Sequence, residues 1–313
     1  MEVVRVVRDA APVELSPAAV EFEELMASIT APPTPLESKR SMSERLHRGA
    51  TEPEGVTYRE VDANGVPGIW VQPARADGSF VLLHSHAGGG VTTTAAVDRK
   101  LAGHIAKAVG VPALVLDFRL APEHKYPAQV DDVESAFNWL ISQGFAADKI
   151  ITIGHSIGGF LAVAVALRLR DAGQPMPGAI VSISPWADLE IAGPTIESNA
   201  ATDKLLSRAS LEFFRESWID GTGLAPDDVR INLNRADLHG LPPTFVTWGT
   251  YELFQGEDEV FAERLKTAGV TTKALPVAGA QHSYIWAAGR VPETDRAIRT
   301  MAEWVRSILP IAR

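Results

Sequence analysis

Residues 150 to 160 constrain this chain more than any other stretch: Ile150-Ile151-Thr152-Ile153-Gly154-His155-Ser156-Ile157-Gly158-Gly159-Phe160 runs from β-branched residues through a glycine and a serine into helix formers. The first four favour a buried, extended strand, and Leu161 to Arg170, rich in Ala, Leu and Arg, favours helix. Only a very tight turn fits between them. The spacing Gly154-x-Ser156-x-Gly158 has a steric cause. The serine backbone is forced into a strained conformation, and a side chain two residues to either side would collide with the neighbouring strand or helix. Such an elbow lifts the Ser156 hydroxyl clear of the sheet and puts the Ile157 N–H at a helix N-terminus, facing a developing negative charge. A serine that merely caps a helix shares this local pattern, so the chemistry depends on partners later in the chain.

The surrounding order of elements follows from apolar spacing. Val56 to Val61 and Gly68 to Val71 read as strands joined by an Asn64-Gly65 turn, and they lead into a third strand, Phe80 to His84, after Asp77-Gly78. Helix and strand then alternate: helix 95–109, strand 113–117, helix 129–142, strand 149–153, helix 157–170 and strand 179–183. A polar, aromatic, helical insertion from about 188 to 220 precedes strand 244–248, helix 257–268, strand 272–277 and a last helix 293–308. This is βαβ repetition, and it predicts an eight-stranded, mostly parallel sheet flanked by helices. Upstream, Ser16-Pro17 opens a helix over 16–29, prolines at 32, 33 and 35 end it, and Ser41 to His47 fits a second short helix. These helices are either a terminal arm or a cap over a site.

In such a sheet, loops at the strand C-terminal ends line a crevice, and four of them carry chemistry. His84-Ser85-His86-Ala87-Gly88-Gly89-Gly90-Val91 follows the third strand, and its three glycines let successive N–H groups approach a ligand as an oxyanion hole requires. A flexible turn is the plainer alternative; a metal site at His84 and His86 lacks a nearby acidic or sulfur ligand. Glu252 leaves the end of strand 244–248 directly, whereas Glu257 and Asp258 fit a cap on the following helix. His282 lies in the loop after the last strand. Ser156, Glu252 and His282 thus fall on three loops of one sheet edge, in the order of a serine hydrolase triad. His47, His104, His124, His155 and His239 read as structural or surface residues.

Composition excludes several alternatives. The chain of 313 residues has no cysteine, which removes disulfides, thiolate metal sites and a cysteine nucleophile, and it fits a reducing, cytoplasmic setting. A formal net charge of −10 with scattered basic residues opposes nucleic acid. Charges interrupt the valines of the first nine residues, and no apolar run reaches the roughly 20 residues of a membrane span, so neither a signal peptide nor a membrane partner is expected.

From about residue 56 to the end, the sequence resembles the hormone-sensitive-lipase-like (family IV) carboxylesterases of the α/β-hydrolase superfamily. His86-Ala87-Gly88-Gly89 matches that family's HGGG, Asp117-Phe118-Arg119-Leu120-Ala121-Pro122-Glu123-His124 its DYRLAPEH, Gly154-His155-Ser156-Ile157-Gly158 its GDSAG, and His282 its terminal histidine. Ser184-Pro185-Trp186-Ala187-Asp188-Leu189 and Glu252 resemble the branch that includes monoterpene lactone hydrolases. The resemblance implies an α/β-hydrolase fold with a small helical cap made from residues 1–50 and 188–220, the catalytic domain taking up 51–313. It also implies Gly88, Gly89 and Ile157 as oxyanion donors; Ala87 and Gly90 depart from the motif, so Gly90 could act in place of Gly88. The Asp117 to Glu123 motif is expected to shape the loop beneath the site.

The activity to expect is hydrolysis of short- to medium-chain carboxylic esters through an acyl-enzyme, with lactone hydrolysis as the alternative and no metal or organic cofactor. A pocket is expected from Trp186, Phe214, Tyr251 and Tyr284, together with Phe213, Trp218 and Trp286. The rate should rise with pH as His282 loses its proton, with an apparent pKa of about 6 to 7. A silent ligand receptor on this fold would be expected to lack a triad member, and a homodimer is left open.

Overall fold

A computed structural model of the protein describes residues 14–29, 36–282 and 284–312. The elements are α1 (Pro17–Ile29), α2 (Leu36–Ser43), β1 (Val56–Asp62), β2 (Pro67–Pro73), β3 (Val81–Ser85), α3 (Ala95–Val109), β4 (Ala113–Leu116), α4 (Ala128–Ser142), β5 (Ile150–His155) and α5 (Ile157–Asp171). They continue as β6 (Ala179–Ile183), α6 (Thr195–Ser198), α7 (Arg208–Ile219), β7 (Thr244–Gly249), α8 (Gln255–Thr267), β8 (Thr272–Val277) and α9 (Pro292–Ile308). From β1 onward the expected boundaries hold closely. The second short helix instead starts earlier, as α2, and ends in a 3-10 turn over Glu44–Arg48. The readings made on residues 1–13 and on the prolines at 32, 33 and 35 lie outside the described residues.

Among the described residues the eight strands form one sheet in the order β1-β2-β4-β3-β5-β6-β7-β8. β2 pairs antiparallel with β1 and β4, and the remaining pairs are parallel. The Asn64-Gly65 turn joins β1 to β2, but β2 then meets β4, because β3 takes the place between β4 and β5. Every residue of β3 to β7 is buried, the pattern of a parallel sheet covered on both faces.

Alternate side chains feed two cores. Leu83, Leu114 and Ile150 face α4, α5 and α8 through Phe137, Phe160 and Phe261. Leu82, Ile151 and Val181 face α3 and α9 through Leu101, Ile105, Ile298 and Met301, and α1 adds Phe22 and Met26 on that side. Truncating one of these buried leucines to alanine costs about 2–5 kcal/mol. No helix among the described residues is long and apolar enough to cross a membrane.

From β3 the chain moves to β4 on one side, while β5 lies on the other. The crevice opens at such a switch point, outside the strand C-termini. Ser85 is in register with Gly154, so the glycine loop after β3 and the serine turn after β5 leave the sheet side by side.

Candidate active site

Ser156 sits between β5 and α5 with φ 60° and ψ −123°, the strained backbone that the glycine spacing demands. A Cβ on Gly154 would lie 2.2 Å from the Gly158 carbonyl oxygen, and one on Gly158 would lie 2.0 Å from that of Ser85. No side chain fits at either position. The turn is pinned from β6, since Ser156 N–H donates to the Ile183 carbonyl and Trp186 N–H donates to that of Ser156.

Gly88, Gly89 and Gly90 have φ of 97°, 64° and 71°, so the loop after β3 depends on residues without a Cβ. Gly88 and Gly89 border the same cavity as Ser156. Gly90 turns away: its open face meets the Trp218 ring, and its carbonyl accepts the Ala121 N–H at 2.8 Å. The Asp117–His124 segment therefore supports this loop from below, as its motif implied. Asp117 Oδ1 also accepts the Ala95 N–H that starts α3.

His282 lines the cavity beside Ser156, with its Nδ1 3.7 Å from Glu252 Oε2, longer than a hydrogen bond. Glu252 is fully buried, and its Oε2 accepts the Ser184 hydroxyl at 2.8 Å. Ser184 has φ 41°, a strained residue at the end of β6 that aims a hydroxyl at the carboxylate. Burial pushes the Glu252 carboxyl up, against the pull of hydrogen bonds from its neighbours. Burial pushes the His282 imidazole down to about 4, with the Asp203 carboxylate acting in the opposite direction.

Several residues that hold this arrangement were not singled out in the sequence. Asp203 accepts the N–H groups of Leu205 and Leu206 with one oxygen and that of Leu253 with the other, tying the insertion to the loop that carries Glu252. Asn199 donates to the Glu252 carbonyl at 2.9 Å, and the Thr202 hydroxyl donates to that of Tyr251. An Asp followed by N–H groups two and three residues on is a local turn signal, but its third bond spans fifty residues of chain.

Glu257 and Asp258 do fall in the first turn of α8, yet both are buried. They lie in that turn as the sequence suggested, but Phe254 takes the N-cap position and no side-chain cap bond is made. Burial first, then the charge of Glu252 and a hydrogen bond to it, push the Asp258 carboxyl well up, with Glu257 acting in the same direction. His84 and His86 are likewise committed elsewhere. His84 Nε2 is 3.0 Å from Asp98, and His86 Nδ1 lies 2.7 Å from the Ala87 carbonyl while its ring stacks on Phe118.

The cavity holds about 410 Å³. Trp186, Phe213, Phe214 and Trp286 line it, joined by Phe254, Leu205, Leu206 and, from α2, Met42. Tyr251 and Tyr284 do not line it, which corrects the expected pocket, and neither does Trp218. Tyr284 points its hydroxyl at Thr247, 2.9 Å away, and Tyr251 contributes backbone bonds to Ala280 and Thr202. Trp218 is buried beneath the glycine loop and donates to Gln129. Aromatics near a catalytic loop in sequence can point into the sheet as readily as into the crevice.

A family model described as the alpha/beta hydrolase fold matches residues 82–286. An acetyl-hydrolase of Streptomyces hygroscopicus is 32% identical over 274 residues, covering 83% of this chain and 91% of its own length. An esterase of Acinetobacter venetianus is 28% identical, covering 86% and 88%. Among solved structures, an esterase from the bacterial hormone-sensitive lipase family superposes with a TM-score of 0.89 at 30% identity, over 95% of this chain and 99% of that one. The structure of EstE5 soaked with p-nitrophenyl butyrate gives 0.87 at 28% identity, over 93% and 98%. With the serine elbow, the glycine loop and His282 all inside the matched stretch, the chain belongs to the α/β-hydrolase fold family, in its hormone-sensitive-lipase-like group.

Proposed function

We propose that the protein is a serine carboxylesterase acting on short- to medium-chain esters. The observation that carries this reading is the convergence of Ser156, His282, Gly88 and Gly89 on one cavity, with Glu252 behind the imidazole. Ser156 attacks the ester carbonyl while His282 takes its proton, and the N–H groups of Gly88, Gly89 and Ile157 receive the oxyanion. Glu252 orients the ring and stabilises its charged form. His282 then returns the proton to the leaving alcohol, and water, activated by the same imidazole, hydrolyses the acyl-enzyme.

Residues 1–50 and 188–220 act together as the cap in this reading. Support comes from α2 and α7, which both contribute cavity walls, through Met42 on one side and Phe213 and Phe214 on the other. A largely apolar cavity of about 410 Å³ suits a small ester. Each buried CH₂ adds about 0.8 kcal/mol until the cavity is full, so affinity should climb with chain length and then stop. The acetyl-hydrolase relative and the neighbour soaked with a butyrate ester favour the same range. The test is kcat/KM across p-nitrophenyl esters from acetate to palmitate, with lactones as cyclic esters in the same panel. A maximum between about C2 and C8 is expected, and a maximum at palmitate would overturn the reading.

A further inference from the structure

The three glycines after β3 raise a physical problem. Glycine has the greatest backbone freedom of any residue, and an oxyanion hole needs N–H groups that do not reorganise during reaction. Something outside the loop has to hold it. Arg40, on α2, sends its guanidinium across to this loop: Nε donates to the Val91 carbonyl at 2.9 Å, directly after the glycines. Nη2 donates to the Ala121 carbonyl at 3.0 Å, and Ala121 N–H donates to the Gly90 carbonyl. Both guanidinium ends also meet the Glu123 carboxylate, each at 2.8 Å. One turn on, the Ser43 hydroxyl accepts the Thr93 N–H at 3.1 Å and donates to the Arg40 carbonyl. Thr93 in turn donates to the Ala87 carbonyl at 2.6 Å.

We infer that Arg40 is a positioning residue for the oxyanion loop, so that α2 serves turnover itself as well as covering the pocket. This inference rests on the esterase reading above. The fork geometry explains why an arginine is used, since one side chain bridges carbonyls from two separate loops and a carboxylate that keeps its plane fixed. The ion pair joins a half-buried Arg40 to an exposed Glu123 carboxylate and contributes little alone. The bonds to Val91 and Ala121 are the ones that reach the glycines.

A cover and a clamp separate in kinetics. Arg40→Ala should lower kcat roughly ten-fold or more, equally for acetate and hexanoate esters, with KM within about two-fold, because only transition-state stabilisation is lost. Arg40→Lys should recover part of that loss. Met42→Ala, on the same helix but facing the cavity, should instead change KM according to acyl length. Glu123→Gln should stay within about three-fold of wild type, since the carbonyl bonds remain.

Hydrogen exchange over residues 86–93 gives a readout independent of esterase activity, and Arg40→Ala should speed exchange there while leaving β5 and α5 protected. If wild type fails to hydrolyse the butyrate ester, the esterase reading fails, and the exchange result still decides whether Arg40 holds the loop. The inference is overturned if Arg40→Ala raises KM in proportion to chain length with kcat unchanged, if Glu123→Gln is as damaging as Arg40→Ala, or if exchange over 86–93 is unaltered. Should the alanine variant not fold, Arg40→Lys carries the same comparison.

Discussion

The imidazole Nε2 of His155 donates to the carbonyl oxygen of His282 at 2.9 Å, although the two residues are far apart in the chain. The residue before the nucleophile thereby holds the backbone of the general base. His155 is completely buried, its ring lies edge-on to Trp286, and burial together with His282 pushes its imidazole down to about 3, so it stays neutral and keeps Nε2–H as a donor. Trp286 in turn donates its indole N–H to Asp98 at 2.7 Å. His155→Phe leaves a buried carbonyl without its donor, at a cost of about 1–3 kcal/mol, and lets the His282 loop shift. The expected outcome is a lowered melting temperature and a fall in kcat of roughly ten-fold. Unchanged kcat in a folded His155→Phe variant would remove His155 from any part in placing the base.

Ser156→Ala should fold like the wild type and lose activity by about four to six orders of magnitude in kcat. The side chain faces the cavity and fills no core position, so removing its hydroxyl costs little packing. Parallel thermal melts and single-turnover assays check both halves. Retention of a tenth of wild-type activity would move the nucleophile elsewhere.

Glu252→Gln and Asp258→Asn should differ sharply. A neutral amide at 252 cannot stabilise the imidazolium, and kcat should drop by roughly 10³ to 10⁴. Asp258 is pushed towards its neutral form by burial and by Glu252, so Asn at that position should change kcat by less than about five-fold. Its raised folded pKa also has a sign. The stability associated with neutral Asp258 is complete below the unfolded value of about 3.9 and is lost as pH rises towards the folded value. Asp258→Asn should therefore gain in melting temperature over wild type, by more at pH 8.5 than at pH 5.5. A reversed ranking in kcat would make Asp258 the acid of the triad.

The histidine limb of the pH profile should lie lower than an ordinary histidine would place it. His282 must be neutral to accept the serine proton, and burial pushes it down to about 4, so the histidine's own limb in kcat/KM should be centred near that value, while Glu252, pushed up to about 7 by burial, adds a second limb near neutrality as it ionises. This moves down the midpoint of about 6 to 7 expected from the sequence. Neutral His282 and His155 both contribute stability that is complete above the unfolded value of about 6.5 and is lost as pH falls through their folded values. Melting temperature should accordingly decline from pH 6.5 to 4.5, and the profile is best read at temperatures below that transition. In Glu252→Gln, where only the histidine limb remains, a midpoint at 6.5 or higher in kcat/KM would show that the free enzyme's base is not a desolvated histidine.

The sequence alone determined the order and type of nearly every element from β1 onward, because each strand of the sheet is a short apolar run and each covering helix has its own period and stop signals. It also placed Ser156, Glu252 and His282 on separate strand ends, since the elbow's glycines answer to a local collision that any chain with this turn must avoid. What it could not decide was direction and partnership between segments remote in the chain. Whether Trp286 faces the cavity and Tyr284 faces Thr247, whether Gly88 or Gly90 borders the site, and whether Asp258 is exposed or buried all depend on which surface the sheet presents to each loop. The neighbours of β3 had the same origin, as a hairpin signal fixes adjacent pairing for β1 and β2 but leaves the place of a parallel strand to crossover packing. The supports of the site, Arg40 on the glycine loop, Ser184 and Asp203 about Glu252, and His155 on His282, are single polar contacts over long stretches of chain. No periodicity records such contacts; they exist only once the sheet has brought their loops together.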